Sequence, residues 1–77
     1  MLAKELIEAA MRGEGPLGKC APDEPVFLLR AQDALSAEMV ERWAIRARTM
    51  DVGNHKVQDA LALAEEMRDW HTKKIPD

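Results

Sequence analysis

The sequence predicts a small all-α domain, and three observations support that prediction. Apolar residues recur at helical spacing in two long C-terminal segments, and a cluster of glycine and proline separates them from a short helical segment at the N-terminus. The sequence contains one strand-like segment, within residues 26–33, and no second one that could pair with it. With 77 residues the chain forms one domain. At this size folding buries only about 60% of the chain's surface and leaves roughly 4,700 Å² exposed, so the core is thin.

The N-terminal part is predicted to be a short helix followed by a loop. Leu2, Leu6 and Ala9 or Ala10 recur on one side of residues 2–12, and Gly13 suits the left-handed position that ends a helix. A helix of this length is marginal alone and must dock on another element. Residues 13–25 hold most of the glycines and prolines, so we expect a loop without regular structure.

Residues 26–33 allow two interpretations. The run Val26-Phe27-Leu28-Leu29 has the composition of a strand, but Asp23-Glu24-Pro25 before it also suits the start of a helix. A lone strand would leave backbone groups without partners. The segment is therefore either a short helical or irregular plug, which we favour, or a strand that pairs with a second copy of the chain.

Residues 36–50 are predicted to form a helix. Ser36 is expected at its N-cap, with Leu35 and Val40 forming a hydrophobic staple. Its apolar face is predicted to place Trp43 in the core, together with Val40, Ala44, Ala47 and Met50. Glu38 is spaced to pair with Arg42 one turn later.

A second long helix is predicted after the break at Asp51-Val52-Gly53-Asn54, in which Gly53 or Asn54 can adopt a positive φ. We expect Asn54 to cap this helix, and Pro76 to prevent its continuation beyond about residue 73, with residues 74–77 frayed. Its buried stripe is predicted to contain Val57, Ala60, Leu61, Ala64 and Met67, and to extend to His71. The short break predicts an antiparallel helix hairpin.

Composition and charge exclude several classes of protein. The chain is 47% hydrophobic and 32% charged with a net charge of -3, so it is folded and has no general attraction to phosphate backbones or anionic lipid. The single cysteine, Cys20, cannot form an internal disulfide, which favours a reducing cytoplasm. The sequence has no signal-peptide core and no run of about 20 apolar residues, so we expect neither secretion nor a membrane span.

The segment Gly13–Cys20 satisfies Gly-x-Gly-x-x-Gly and nearly satisfies the phosphate-loop pattern. That loop needs a strand before it, a helix after it and a hydroxyl for magnesium. Here a helix precedes the loop, Pro22 follows it and Cys20 replaces the hydroxyl, so we interpret the match as coincidence.

No catalytic, cofactor-binding or metal-binding set is predicted. The soft metal ligands Cys20, His55 and His71 are too widely spaced for a structural zinc site. Ser36 is the only serine, and its expected cap position already explains it. We therefore expect a protein that is not an enzyme and binds no cofactor.

The predicted protein-binding patch consists of Leu63, Met67 and Trp70, at the edge of the last helix's buried stripe. Exposed aromatic and methionine surface often contacts a partner protein or a second copy of the chain. Packing against the first helix is an equally weighted alternative.

The stretch Asp23–Leu35, followed by Val40, Trp43 and Ala44, resembles a pattern in small uncharacterised phage and prophage proteins. The resemblance covers about half of the chain. It implies an accessory protein in the cytoplasm of a bacterial host, one that acts by binding a host or phage protein.

A weaker resemblance is to the dimeric ribbon-helix-helix repressors, whose strand would correspond to residues 26–32. It implies DNA reading by Arg30 and Gln32, with Arg42 and Arg46 as further contacts. The net acidity and the extra N-terminal helix depart from that family, so nucleic acid is the disfavoured partner.

Overall fold

A computed structural model describes residues 1–75 as an all-α domain, which confirms the predicted fold class. Helix α1 spans Ala3–Met11, α2 Gly15–Gly18, α3 Ser36–Thr49 and α4 Asn54–Arg68. Over the described residues no strand forms, and Asp33 and Lys74 make an isolated parallel bridge.

Helices α3 and α4 pack together as the predicted hairpin. The centre of their interface is Ala44, Ala47 and Val57, with Val52, Ala60 and Leu61 packed around it. Most of these side chains are small, so the two helix backbones can approach closely. The van der Waals contacts of the core therefore come from the close approach of two helix backbones rather than from large interlocking side chains.

Much of the apolar surface stays outside this core. The chain exposes 6345 Å², about a third more than the roughly 4,700 Å² typical of a folded monomer of its mass. Many large apolar side chains lie at the surface, among them Leu2, Ile7, Met11, Phe27, Leu28, Leu35, Trp43, Ile45, Met50 and Trp70. A single chain therefore leaves much of its apolar surface exposed to solvent.

The prediction that Trp43 and Met50 lie in the core is wrong. Trp43 is 54% exposed and Met50 is 67% exposed. The buried face of α3 is centred on Ala44, and Trp43, one residue earlier, points about 100° away from it around the helix axis. Ala44 and Ala47 therefore form the α3 side of the centre of the contact with α4.

Ser36 is the first residue of α3 rather than its cap. Its side chain is fully buried, and its hydroxyl donates a hydrogen bond to the Asp33 carbonyl at 2.9 Å. The hydroxyl therefore joins the helix to the preceding turn and caps no helical N–H.

Helix α4 differs from its prediction at both ends. Asn54 begins the helix without a side-chain cap, and the positive φ of 63° in the preceding turn belongs to Asp51 rather than to Gly53 or Asn54. The helix ends at Arg68, so His71 lies beyond it, exposed, and is not part of the buried stripe.

The chain turns back after α4 instead of fraying. The Lys74 N–H donates to Gln32, and the Ala34 N–H donates to the Lys74 carbonyl at 2.7 Å. The expected frayed end is thus wrong for Lys74. The predicted helix stop at Pro76 lies outside the described residues.

The N-terminal half forms a helical corner. α1 is confirmed, with Gly13 at a φ of +71° after it, but the predicted loop 13–25 contains the short helix α2, packed on α1. Residues 26–33 are irregular, as favoured, although Phe27 is 88% exposed, so the segment does not plug the core.

Candidate functional site: an apolar groove

An open apolar groove lies between α1 and α4. Its cavity volume is about 720 Å³, and residues 28–32 form its third side. Leu6 and Ile7 of α1 line it together with Leu2 directly before that helix, while Leu63 and Met67 line it from α4. The groove exists because α1 faces α4 across a gap instead of packing tightly against it.

The structure brings the three predicted patch residues to this one groove. Leu63 is half-buried, Met67 is only 7% exposed and Trp70, just beyond the end of α4, is 48% exposed. Met67 therefore forms part of the core as well as the groove lining. Trp70 is the largest side chain of the groove that a partner could cover, and its ring lies 4.7 Å from that of His71, centroid to centroid.

Lys73 holds the third side of the groove in place. Its ammonium donates to the Met67 carbonyl at the end of α4 and to the Ala31 carbonyl at 3.0 Å. The backbone pairing of Lys74 with residues 32 and 34 acts beside it. Sequence reasoning missed Lys73, although a lysine just after a helix often bonds to its last carbonyls.

Replacing Lys73 with Met should loosen this side of the groove. Loss of the two hydrogen bonds should cost about 1 kcal/mol locally, which is about a fivefold faster exchange of the Ala34 amide hydrogen. Lys74→Met is the matched control because, within residues 1–75, Lys74 makes hydrogen bonds through its backbone and none through its side chain. Amide exchange measured by NMR checks both variants, and equal exchange rates in the two would contradict the assignment to Lys73.

Charged groups of both signs border the groove. Arg30 and Glu66 contribute to its lining, and the backbone N–H of Arg30 donates a hydrogen bond to the Asp33 carboxylate at 3.3 Å. Elsewhere on the hairpin, Arg68 bridges Glu41 and Glu65. The hydrogen bond to Glu41 raises the pKa of the Arg68 guanidinium above its usual value, which favours the cation in this link between α3 and α4.

Arg30 and Gln32, the residues predicted to read DNA bases from a strand, do not lie on a strand. Arg30 lies in a turn closed by the Asp33 N–H donating to its carbonyl at 2.9 Å, and Gln32 is paired with Lys74. Arg42 makes an ion pair with Glu38 at 2.9 Å, as predicted, which offsets its charge. The DNA-binding alternative stays a prediction without structural support at Arg30 and Gln32.

The other candidate side chains form no metal-binding cluster within residues 1–75. There, no three His, Cys, Asp or Glu side chains lie close enough to share a metal ion. The Cys20 thiol donates to the Pro16 carbonyl at 3.1 Å. Across the same residues, no helix has the length and apolar character needed to cross a membrane.

Comparison with protein-family models, with curated proteins and with solved structures gives no match for the chain. The groove itself is therefore the basis for a functional proposal.

Proposed function

We propose that this chain is a protein-binding module whose groove takes up an amphipathic helix of a partner protein. The observation that carries the proposal is the apolar groove of about 720 Å³ between α1 and α4, with Trp70 half-exposed at its edge. A site of this kind binds by covering apolar surface, and a large aromatic side chain commonly contributes most of the binding energy.

A helix suits this groove better than an extended peptide. An extended peptide gains its affinity from an exposed sheet edge, and the described residues contain no sheet. Two sides of the groove are helices, so a third helix can pack its side chains between theirs. The bound helix should present apolar residues at i, i+3 or i+4, and i+7, with charges of both signs to meet Arg30 and Glu66.

We also propose that the module serves as a phage-type accessory or regulatory protein in the cytoplasm of a bacterial host. The resemblance of residues 23–35 supports the phage origin, and the single cysteine is compatible with a reducing compartment.

A library of displayed amphipathic peptides tests the binding function. Peptides selected by the full chain should share apolar residues at helical spacing, and Trp70→Ala should weaken their binding about thirtyfold, because truncating an aromatic hot-spot residue costs roughly 2 kcal/mol. Leu63→Ala should weaken binding in the same direction by a smaller factor.

The matched control is Trp43→Ala, which removes a tryptophan of similar exposure from outside the groove. It should leave peptide affinity unchanged. Circular dichroism must show that Trp70→Ala keeps its helices, since an unfolded variant would assign Trp70 to the core instead. Failure to select any peptide, or equal losses at Trp43 and Trp70, would contradict the proposed function.

A further inference from the structure

Helix α3 carries a second apolar face, about 100° around the helix axis from the face that packs on α4. Leu35, directly before the helix, and Met39, Trp43 and Met50 all lie within an arc of about 80° around the α3 axis. Each of these four side chains is exposed. We call them the outer stripe; it runs for about 22 Å, the rise of 15 helical residues, and shares no residue with the groove lining.

The exposed area is large enough for a partner on this stripe in addition to one in the groove. The chain's 6345 Å² exceeds the surface expected of a folded monomer by roughly 1,600 Å². One side of a standard protein interface needs about 800 Å². A single groove partner would therefore leave an area of about that size still to be covered.

The composition of the core points to a second copy as the occupant of the outer stripe. The buried apolar residues are four alanines, Val57 and Met67, whereas Trp43 and four of the five methionines are exposed. A permanent homodimer interface is about as hydrophobic as a domain core, so each subunit alone exposes large apolar side chains there. The outer stripe supplies those side chains, and a two-fold axis would join two identical stripes.

Like-charge repulsion selects the antiparallel arrangement. Arg46 is exposed and lies within the same arc as the outer stripe, between Trp43 and Met50 along α3. It takes part in none of the ion pairs found within residues 1–75. A parallel pairing would place two Arg46 side chains directly opposite each other, whereas an antiparallel pairing centred near Trp43 separates them by roughly 10 Å along the helix axes.

We propose that the chain forms an antiparallel homodimer through the outer stripes of two α3 helices. Leu35 of each copy packs against Met50 of the other, and the two Trp43 rings meet near the two-fold axis. This arrangement leaves both grooves open, at sites away from the interface.

Sedimentation equilibrium of the full chain tests the proposal. The mass should be twice the 8.6 kDa of one chain. Trp43→Glu should return it to the monomer mass by placing two carboxylates at the axis, whereas the groove variant Leu63→Glu should stay dimeric. A monomeric wild-type chain at 100 µM, or a dimer that Trp43→Glu leaves intact, would overturn the proposal.

Cysteine cross-linking decides the case even if Trp43→Glu unfolds. In a Cys20→Ser background, Leu35→Cys and Met50→Cys chains are prepared separately, mixed under denaturing conditions, refolded together and oxidised. The mixture should give a cross-linked dimer, and neither variant alone should. Cross-linking of Leu35→Cys with itself would indicate a parallel pair and overturn the arrangement; no cross-link in the mixture would exclude the outer stripe as the interface.

Discussion

Replacing Ala44 with Leu should lower the free energy of unfolding of the α3–α4 hairpin by about 1–3 kcal/mol, the usual cost of forcing extra volume into a packed core. Ala44 is fully buried at the centre of the helix interface, beside Ala47 and Val57. Because α3 and α4 approach each other over small side chains, a leucine here must push the backbones apart. With so thin a core, that cost is a large fraction of the total stability.

Urea denaturation followed by circular dichroism measures this effect as a lower midpoint. Ala62→Leu is the matched control because Ala62 lies on α4 with its side chain exposed. Alanine and leucine have similar helix propensities, so this variant should unfold within about 0.5 kcal/mol of the wild type. If the two variants unfolded at the same urea concentration, Ala44 would not lie at a tight helix contact.

The hairpin could be predicted from sequence because its signal is periodic and redundant. Val57, Leu61 and Ala64 recur on one side of α4, and the turn before them is too short for any arrangement but adjacent helices. Loss of one position from such a pattern does not change the prediction. The hairpin packing therefore follows from the sequence, whereas the ends of its helices do not.

The identity of the buried face of α3 could not be predicted from hydrophobicity. α3 has two apolar sides, one of alanines and one with Trp43, and a ranking by side-chain size places the tryptophan inside. The structure reverses this order because alanine allows α4 to approach closely. A core prediction that weighs only apolar area therefore assigns Trp43 to the wrong side.

The groove was predictable only in part. Leu63, Met67 and Trp70 share a helical stripe, so the α4 side of the site follows from spacing. The opposite side depends on long-range contacts, such as that from Lys73 to the Ala31 carbonyl, 42 positions apart. No local pattern specifies such a pair, and the irregular backbone of residues 28–32 has no periodicity to detect.

The glycine string of residues 13–18 has a structural explanation that the phosphate-loop comparison does not provide. Gly15 has a φ of +71°, and a Cβ there would lie 3.0 Å from the Ala9 Cβ. A Cβ on Gly18 would lie 2.6 Å from the Gly13 carbonyl carbon. These glycines let α2 fold back against α1, so the string builds the helical corner beside the groove.

Gly18→Ala should therefore open the α1–α2 corner and abolish groove binding while the hairpin stays folded. The new methyl group contacts backbone atoms, which cannot move aside as a flexible side chain can. A cost of about 1–3 kcal/mol is enough to unfold a helix as short as α1, which is marginal alone. Hydrogen exchange should show α1 amides losing protection while those of α3 and α4 keep theirs.

Two further glycine variants separate the contact from general effects of alanine. Gly53→Ala should be nearly neutral, since its Cβ would meet nothing closer than the His55 ring at 3.4 Å and its φ is −51°. Gly13→Ala has open space but a φ of +71°, so it should show the cost of backbone strain alone, about 1 kcal/mol. If Gly18→Ala cost no more than Gly13→Ala, the close approach of α2 to the end of α1 would not be what holds the corner together.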